Sequence, residues 1–163
     1  MSNFRDTLKQ TLTRELFALR DDIRANLAST GTNASGHTSE SLRVEVDSEG
    51  GRLIGRPAFH VVETGRIKTP GKYPRNFYQI IKQWTYDKGL TFTNEQERGT
   101  FAYFVSRKII REGSQLHRRG GRDDIYTNVL PKHLAAIWNS LLYAMDADVE
   151  RINATIPRKT EIE

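Results

Sequence analysis

Cysteine is absent from this chain of 163 residues. Its absence excludes disulfides, cysteine-based zinc sites and thiol catalysis together, and it favours a reducing cell interior, or a particle assembled there. Long apolar runs are absent too, since no stretch approaches the roughly 18 continuous apolar residues of a membrane-spanning helix. Residues 1–6 contain no apolar signal core, so we expect no secretion by a signal peptide.

Motifs that carry chemistry are also scarce. The four histidines, at positions 37, 60, 117 and 133, form no metal-binding pattern. A Walker loop, a G-x-S-x-G elbow and a G-x-G-x-x-G loop are all missing. Two pairs of carboxylates are adjacent in the sequence. Asp21-Asp22 falls on the polar face of a predicted helix, and Asp123-Asp124 follows arginines that would pair with it. We therefore expect no enzyme, metal or cofactor, and a nuclease or other phosphate enzyme is a distant third interpretation.

Positive charge is present in excess but unevenly. The formal net charge is +5, and residues 57–125 hold thirteen Lys or Arg against seven Asp or Glu. Such a segment suits phosphates or an acidic protein surface, although a solvated helix face followed by a basic loop is an equal alternative. A glycine pair at 120–121 could cradle a phosphate, but a turn is favoured. Six cations in this segment have only one acidic residue among them: Arg107, Lys108, Arg111, Arg118, Arg119 and Arg122.

The two ends of the chain carry long helical patterns. Apolar residues recur every three or four positions from Phe4 to Leu27 and predict a helix over 1–28. A second stripe, from Leu134 to Ile156, predicts a helix over 131–157. The first stripe is compatible with a core helix or with a helix that contacts another subunit.

In the middle of the chain, the spacing of the apolar residues changes from a helical to a strand period. Apolar and polar residues alternate over 42–46, which predicts a β-hairpin region over 40–66 whose last strand is closed by Glu63. A helical pair is predicted over 76–113. Because the predicted strands and helices are segregated along the chain, residues 1–163 are interpreted as one α+β domain. Its small antiparallel sheet packs with the long terminal helices and the two middle helices. Capping residues mark the ends of the middle helices: Asn76, Gly89, Asn94 and Gly113.

Two local features are candidates for contacts. Glu63 precedes the turn glycine Gly65 and Arg66, and a carboxylate there can accept hydrogen bonds from backbone N–H groups or pair with an arginine. The alternative is an exposed residue at a strand end. The arginines around the glycine pair predict a flexible, exposed loop that a neighbouring molecule orders.

The order of several motifs resembles that of tail-completion and head–tail connector proteins of tailed bacteriophages. An aromatic residue, a short apolar stretch and Glu-x-Gly run from Phe59 to Arg66. The continuation is similar to neck proteins of phages that infect Bacteroidetes, including crAss-like phages, and the resemblance covers about 40–127. The later motifs that carry it are Pro70-Gly71, Pro74, Ile80–Trp84, Lys88-Gly89, Phe101–Phe104, Arg107–Gly113 and Asp124–Tyr126.

The resemblance implies a structural virion protein, assembled in the host cytoplasm, whose copies form a homo-oligomeric ring in the neck. Its partners would be the portal and other neck or tail proteins, with contact to packaged DNA as an option and no membrane. We expect Glu63, Gly65, Arg66 and the six cations to carry the partner contacts. A closed ring needs two different patches on each subunit, and the first helical stripe and the hairpin edge are candidates. The alternative function is a sequence-nonspecific nucleic-acid-binding protein.

Overall fold

The computed structural model describes residues 2–155 and has the predicted α+β architecture, with a long helix near each end and a two-stranded antiparallel sheet. The predicted helix end at 157 and the last member of its stripe, Ile156, lie outside the described residues. The elements in chain order are α1 (Ser2–Ser29), α2 (His37–Glu40), β1 (Arg43–Val46), β2 (Gly51–Ile54), α3 (Val61–Thr64), α4 (Phe77–Asp87), α5 (Glu95–Glu112), α6 (Gln115–Arg118) and α7 (Leu130–Thr155).

The hairpin lies on α1. Its strands pair in a register that sets Val44 opposite Leu53 and Val46 opposite Gly51, while the polar residues of β1 point outward. Gly51 allows the close approach, because a Cβ at this position would lie 2.5 Å from a methyl group of Leu16. The alternating pattern of the sequence thus builds a sheet with one face on the helix, as β-strand geometry requires.

The first core forms around the second half of α1. Five buried residues make it up, and side chains from the hairpin and from the approach to α7 pack around them. The first helical stripe is therefore a core element over this half, and its interpretation as a subunit contact is wrong there. The buried members are Leu19, Ile23, Leu27, Leu42 and Ile125.

A second, smaller core joins α4 to α5. Phe77 and Ile81 of α4 pack against Ala102 and Ile110 of α5. Asn94 caps α5 as predicted, since its side chain accepts a hydrogen bond from the Glu97 N–H at 2.8 Å. The outer faces of both helices remain in solvent.

Three local predictions are wrong. The apolar segment before Glu63 does not continue the sheet, because Val61–Thr64 closes i to i−4 hydrogen bonds and forms one helical turn. The small, polar residues of 28–38 predict a loop between the first helix and the hairpin, but a short helix, His37–Glu40, begins at its end. Asn76 precedes α4 but does not cap it, since its backbone is left-handed, with φ 69°, and its side chain makes no cap hydrogen bond. None of the described helices has the length and apolar character needed to span a lipid bilayer.

Candidate functional site

The Glu63 carboxylate is the most completely hydrogen-bonded acidic group described in the chain. The residue is only 3% exposed. Its Oε1 atom accepts hydrogen bonds from three successive backbone N–H groups, those of Ile125, Tyr126 and Thr127, at 2.9, 2.6 and 3.0 Å. Its Oε2 atom accepts a fourth bond, 2.6 Å long, from the Thr127 hydroxyl. Of the two functional roles predicted for Glu63, the acceptor of backbone N–H groups is confirmed.

These bonds fix the segment that leads into α7. The Glu63 carbonyl accepts from the N–H of Arg122 at 2.9 Å, so the same residue holds this segment at two points. From the opposite side, the Asn26 amide of α1 donates to the Ile125 carbonyl at 2.9 Å. The direction in which α7 leaves the core is thus set by α1 and α3 together.

The pKa of Glu63 reflects two opposing influences. Burial disfavours the charged carboxylate and by itself would raise the pKa. Hydrogen bonds from the Thr127 hydroxyl and from the backbone of residues 125–127 stabilise the charge and outweigh burial, so the pKa lies below that of an ordinary glutamate. Glu63 is therefore an ionised structural group at neutral pH.

Gly65 and Arg66 connect this corner to the end of α5. Gly65 has φ 69°, and a Cβ at this position would lie 2.4 Å from the backbone nitrogen of His117. The N–H of Arg66 donates to the Ser114 hydroxyl at 2.9 Å, and the Ser114 N–H donates to the Arg66 carbonyl at 2.8 Å. The Arg66 guanidinium lies 4.4 Å from the ring centre of Phe77. We call residues 63–66 with their partners the Glu63 corner.

Six of the nine predicted contact residues lie either at the Glu63 corner or on α5. Glu63 and Gly65 are buried within the chain, so their effect on a partner would pass through the shape of the corner. Arg107, Lys108 and Arg111 lie exposed on α5. Contact of either group with a partner stays a prediction.

The segment with the other three arginines is not an unstructured loop. It contains α6, which Ser114 caps by accepting from the His117 N–H. Arg118 pairs with Glu112 at 2.5 Å. Arg122 is about three-quarters buried, forms an ion pair with Asp124 and reaches the Thr32 hydroxyl at 3.4 Å. The predicted exposure is confirmed for Arg118 and Arg119 and is wrong for Arg122, whose side chain is held by Asp124 and Thr32. Ordering of this segment by a neighbouring molecule stays a prediction.

A buried histidine between two carboxylates joins α7 to α1. His133 is 3% exposed. Its Nδ1 atom lies 3.0 Å from Oε2 of Glu15, and its Nε2 atom lies 3.0 Å from Oδ2 of Asp22. The bond with His133 is the main cause that lowers the pKa values of Glu15 and Asp22, and partial burial opposes it. The signal for this contact is indirect, a histidine within an apolar helical pattern.

The inner side of α7 contacts α1 and carries small and large residues alike, Ile137 among them, whereas its outer side exposes a row of large apolar residues. His133, Ser140 and Ala144 lie on the inner side. Trp138, on the outer side, is 63% exposed. We call the outer row the α7 stripe; its members are Leu134, Trp138, Leu142, Met145, Val149 and Ile152.

A second apolar surface lies on the outer face of α5. Phe92, Phe101, Phe104 and Val105 line a groove of 420 Å³ that we call the α5 groove, and its wall also contains Lys108, Thr100 and Glu97. The rings of Phe92 and Phe101 lie 5.3 Å apart, whereas Phe104 is 65% exposed. An aromatic groove beside cations is chemically suited to an apolar helix with acidic neighbours.

The chain exposes more surface than a compact monomer of its size. Its accessible surface is 11845 Å², whereas the usual scaling predicts about 8,300 Å² for this mass. The nine residues outside the described range could add at most about 1,500 Å², even fully extended. The excess of the described part is thus on the order of 2,000 Å².

Within residues 2–155, no group of three or more His, Asp or Glu side chains is arranged to hold a metal ion. A scan against protein-family models and searches of curated proteins and of solved structures each give no match.

Proposed function

We propose that this chain is a structural subunit that assembles with copies of itself into a ring, in the neck of a tailed bacteriophage, where it joins the portal to the tail. The order of motifs over 40–127 supports the phage neck. The single observation that carries self-assembly is the α7 stripe, a row of six large apolar side chains that faces solvent along a helix whose opposite side lies against α1.

Exposed apolar rows of this size are uncommon on proteins that act alone. Burying apolar surface yields about 25 cal/mol per Å², and large exposed patches typically mark interaction sites. The excess surface supports the same conclusion, because a standard interface takes about 800 Å² from each partner. A ring subunit has two such interfaces.

The proposal is tested by the mass of the protein in solution and in particles. Native mass spectrometry over a range of concentrations should show multimers of the 18.7 kDa chain. Cross-linking of assembled particles should give a ladder of multimers. A monomer at every concentration, together with no copy in purified particles, would contradict the proposal.

The nucleic-acid alternative has one supporting observation, the exposed cations of α5. A protein that neutralises several phosphates loses affinity as salt rises, with a log–log slope of about −0.9 per phosphate contact. We expect little binding to free duplex DNA at physiological salt. Tight binding with a slope of about −5 or steeper would favour the alternative.

A further inference from the structure

We propose that the α7 stripe of one copy docks into the α5 groove of the next copy. This inference rests on the proposed function, because it names the two faces through which the subunits would meet. Both faces are exposed in the isolated chain, and α7 is held to its own α1 by His133, so its stripe points away from the core.

The two apolar surfaces match in chemistry, and each subunit has one of each. The α5 groove offers aromatic walls, and the α7 stripe offers a row of large side chains that includes Trp138. Pairing of two α7 stripes in a symmetric dimer would cover one face and leave the groove in water. The head-to-tail arrangement covers both faces with a single type of contact, and such a contact generates a ring when its rotation closes.

Charge complementarity supports the same pairing. Among the described residues, Asp146 and Glu150 of α7 form no ion pair, and neither do Arg107 and Lys108 of α5. Asp146 follows Leu142 by four residues, just as Lys108 follows Phe104 by four. With the two helices side by side and running in the same direction, apolar residues meet apolar residues and acids meet bases.

The surface area is sufficient for this arrangement. Each subunit would use α7 on one side and α5 on the other, which takes about 1,600 Å² from it in two standard interfaces. The described part exposes on the order of 2,000 Å² beyond a compact domain. One contact of this type per neighbour is therefore enough to account for most of the excess.

A mixing experiment with two variants separates the head-to-tail contact from a symmetric one. Trp138→Asp destroys the α7 stripe but leaves the groove intact, and Phe104→Asp does the opposite. Both residues are exposed, so circular dichroism should show a wild-type fold for each variant. Asn139→Asp is the matched control, because it adds the same charge one position outside the stripe.

We expect each variant alone to be monomeric by native mass spectrometry, the control to assemble like the wild type, and an equal mixture of the two variants to form a one-to-one dimer. The double variant Asp146→Lys with Lys108→Glu should assemble several-fold better than either single change. A mixture that stays monomeric would overturn the inference.

The two proposals fail in different ways. Wild-type assembly by Phe104→Asp would show that the subunits meet elsewhere, which overturns this inference and leaves the proposed ring intact. A wild-type protein that stays monomeric, with no cross-link in assembled particles, overturns both.

Discussion

Thr127 bonds to Glu63 twice, through its hydroxyl at 2.6 Å and through its backbone N–H at 3.0 Å. Together with the N–H groups of Ile125 and Tyr126, this makes one buried carboxylate the anchor of the segment that leads into α7. The orientation of the exposed stripe, and with it the proposed interface, therefore depends on a residue that lies inside the chain.

Glu63→Ala should destabilise the fold by about 1–3 kcal/mol, because it leaves buried N–H groups without an acceptor. Urea denaturation measures the loss. The matched control is Glu49→Ala, which removes an exposed glutamate of the hairpin turn and should change the free energy of unfolding little. Equal stability of Glu63→Ala and the wild type would contradict the role of this carboxylate.

The same bonds predict a pH dependence. The pKa of Glu63 is lowered by folding, so its contribution to stability is fully present above the unfolded value of about 4.3 and is lost as the pH falls through the lower folded value. The stability difference between wild type and Glu63→Ala should shrink over this acidic range. A difference that grows on acidification would contradict a pKa of Glu63 that is lowered by folding.

Gly65→Ala should be more damaging than a glycine substitution in open space. A Cβ at Gly65 would lie 2.4 Å from the backbone nitrogen of His117, whereas one at Gly71 would meet nothing within 4 Å. Both glycines have positive φ, 69° and 80°, so Gly71→Ala controls for the cost of a positive φ. Gly65 also has ψ 171°, a combination that essentially only glycine adopts, and this adds to the cost of its substitution. The melting temperature should fall further for Gly65→Ala than for Gly71→Ala. Equal falls would show that the backbone around His117 can move to accept the methyl group without loss of stability.

His133→Ala should weaken the docking of α7 on α1. Each ring nitrogen faces a carboxylate oxygen, so the substitution leaves Glu15 and Asp22 without their common partner. We expect a loss of about 1–3 kcal/mol, at the lower end because Asp22 is partly exposed. His37→Ala is the control, since His37 is exposed and its acidic contact, with Glu40, is long at 3.8 Å. Hydrogen exchange along α7 should rise only for His133→Ala.

The sequence predicted the elements whose signals are local. Asn94, Gly89 and Gly113 placed three of the four ends of α4 and α5 closely, because a helix end is determined by the few residues around it. The apolar segment before Glu63 was assigned to a strand, yet it forms a helical turn. A short apolar run does not distinguish a strand from a helical turn. In the structure, the helical turn occurs together with the bonds of Glu63 to residues 125–127, which are distant in sequence.

Burial was harder to predict than secondary structure. The stripes of α1 and α7 have similar spacing in the sequence, but Ile23 is buried whereas Trp138 is exposed. Periodicity shows that one face of a helix is apolar and does not show whether the covering partner lies in the same chain. Contacts between distant residues, such as His133 with Glu15, leave no periodic trace at all.

Arg122 and Arg119 lie three residues apart and should behave differently when replaced by serine. Arg122 pairs with Asp124 and reaches Thr32, so Arg122→Ser removes contacts within this segment and with the residues after α1, and it should cost about 1 kcal/mol. Arg119 is exposed and forms no ion pair with the described residues, so Arg119→Ser should leave the melting temperature unchanged. If the arginines serve a partner, Arg119→Ser should still impair joining to neighbouring proteins or DNA. Equal melting of both variants would show that the Arg122 ion pair contributes nothing to the fold, and it would restore the prediction of a freely exposed basic loop.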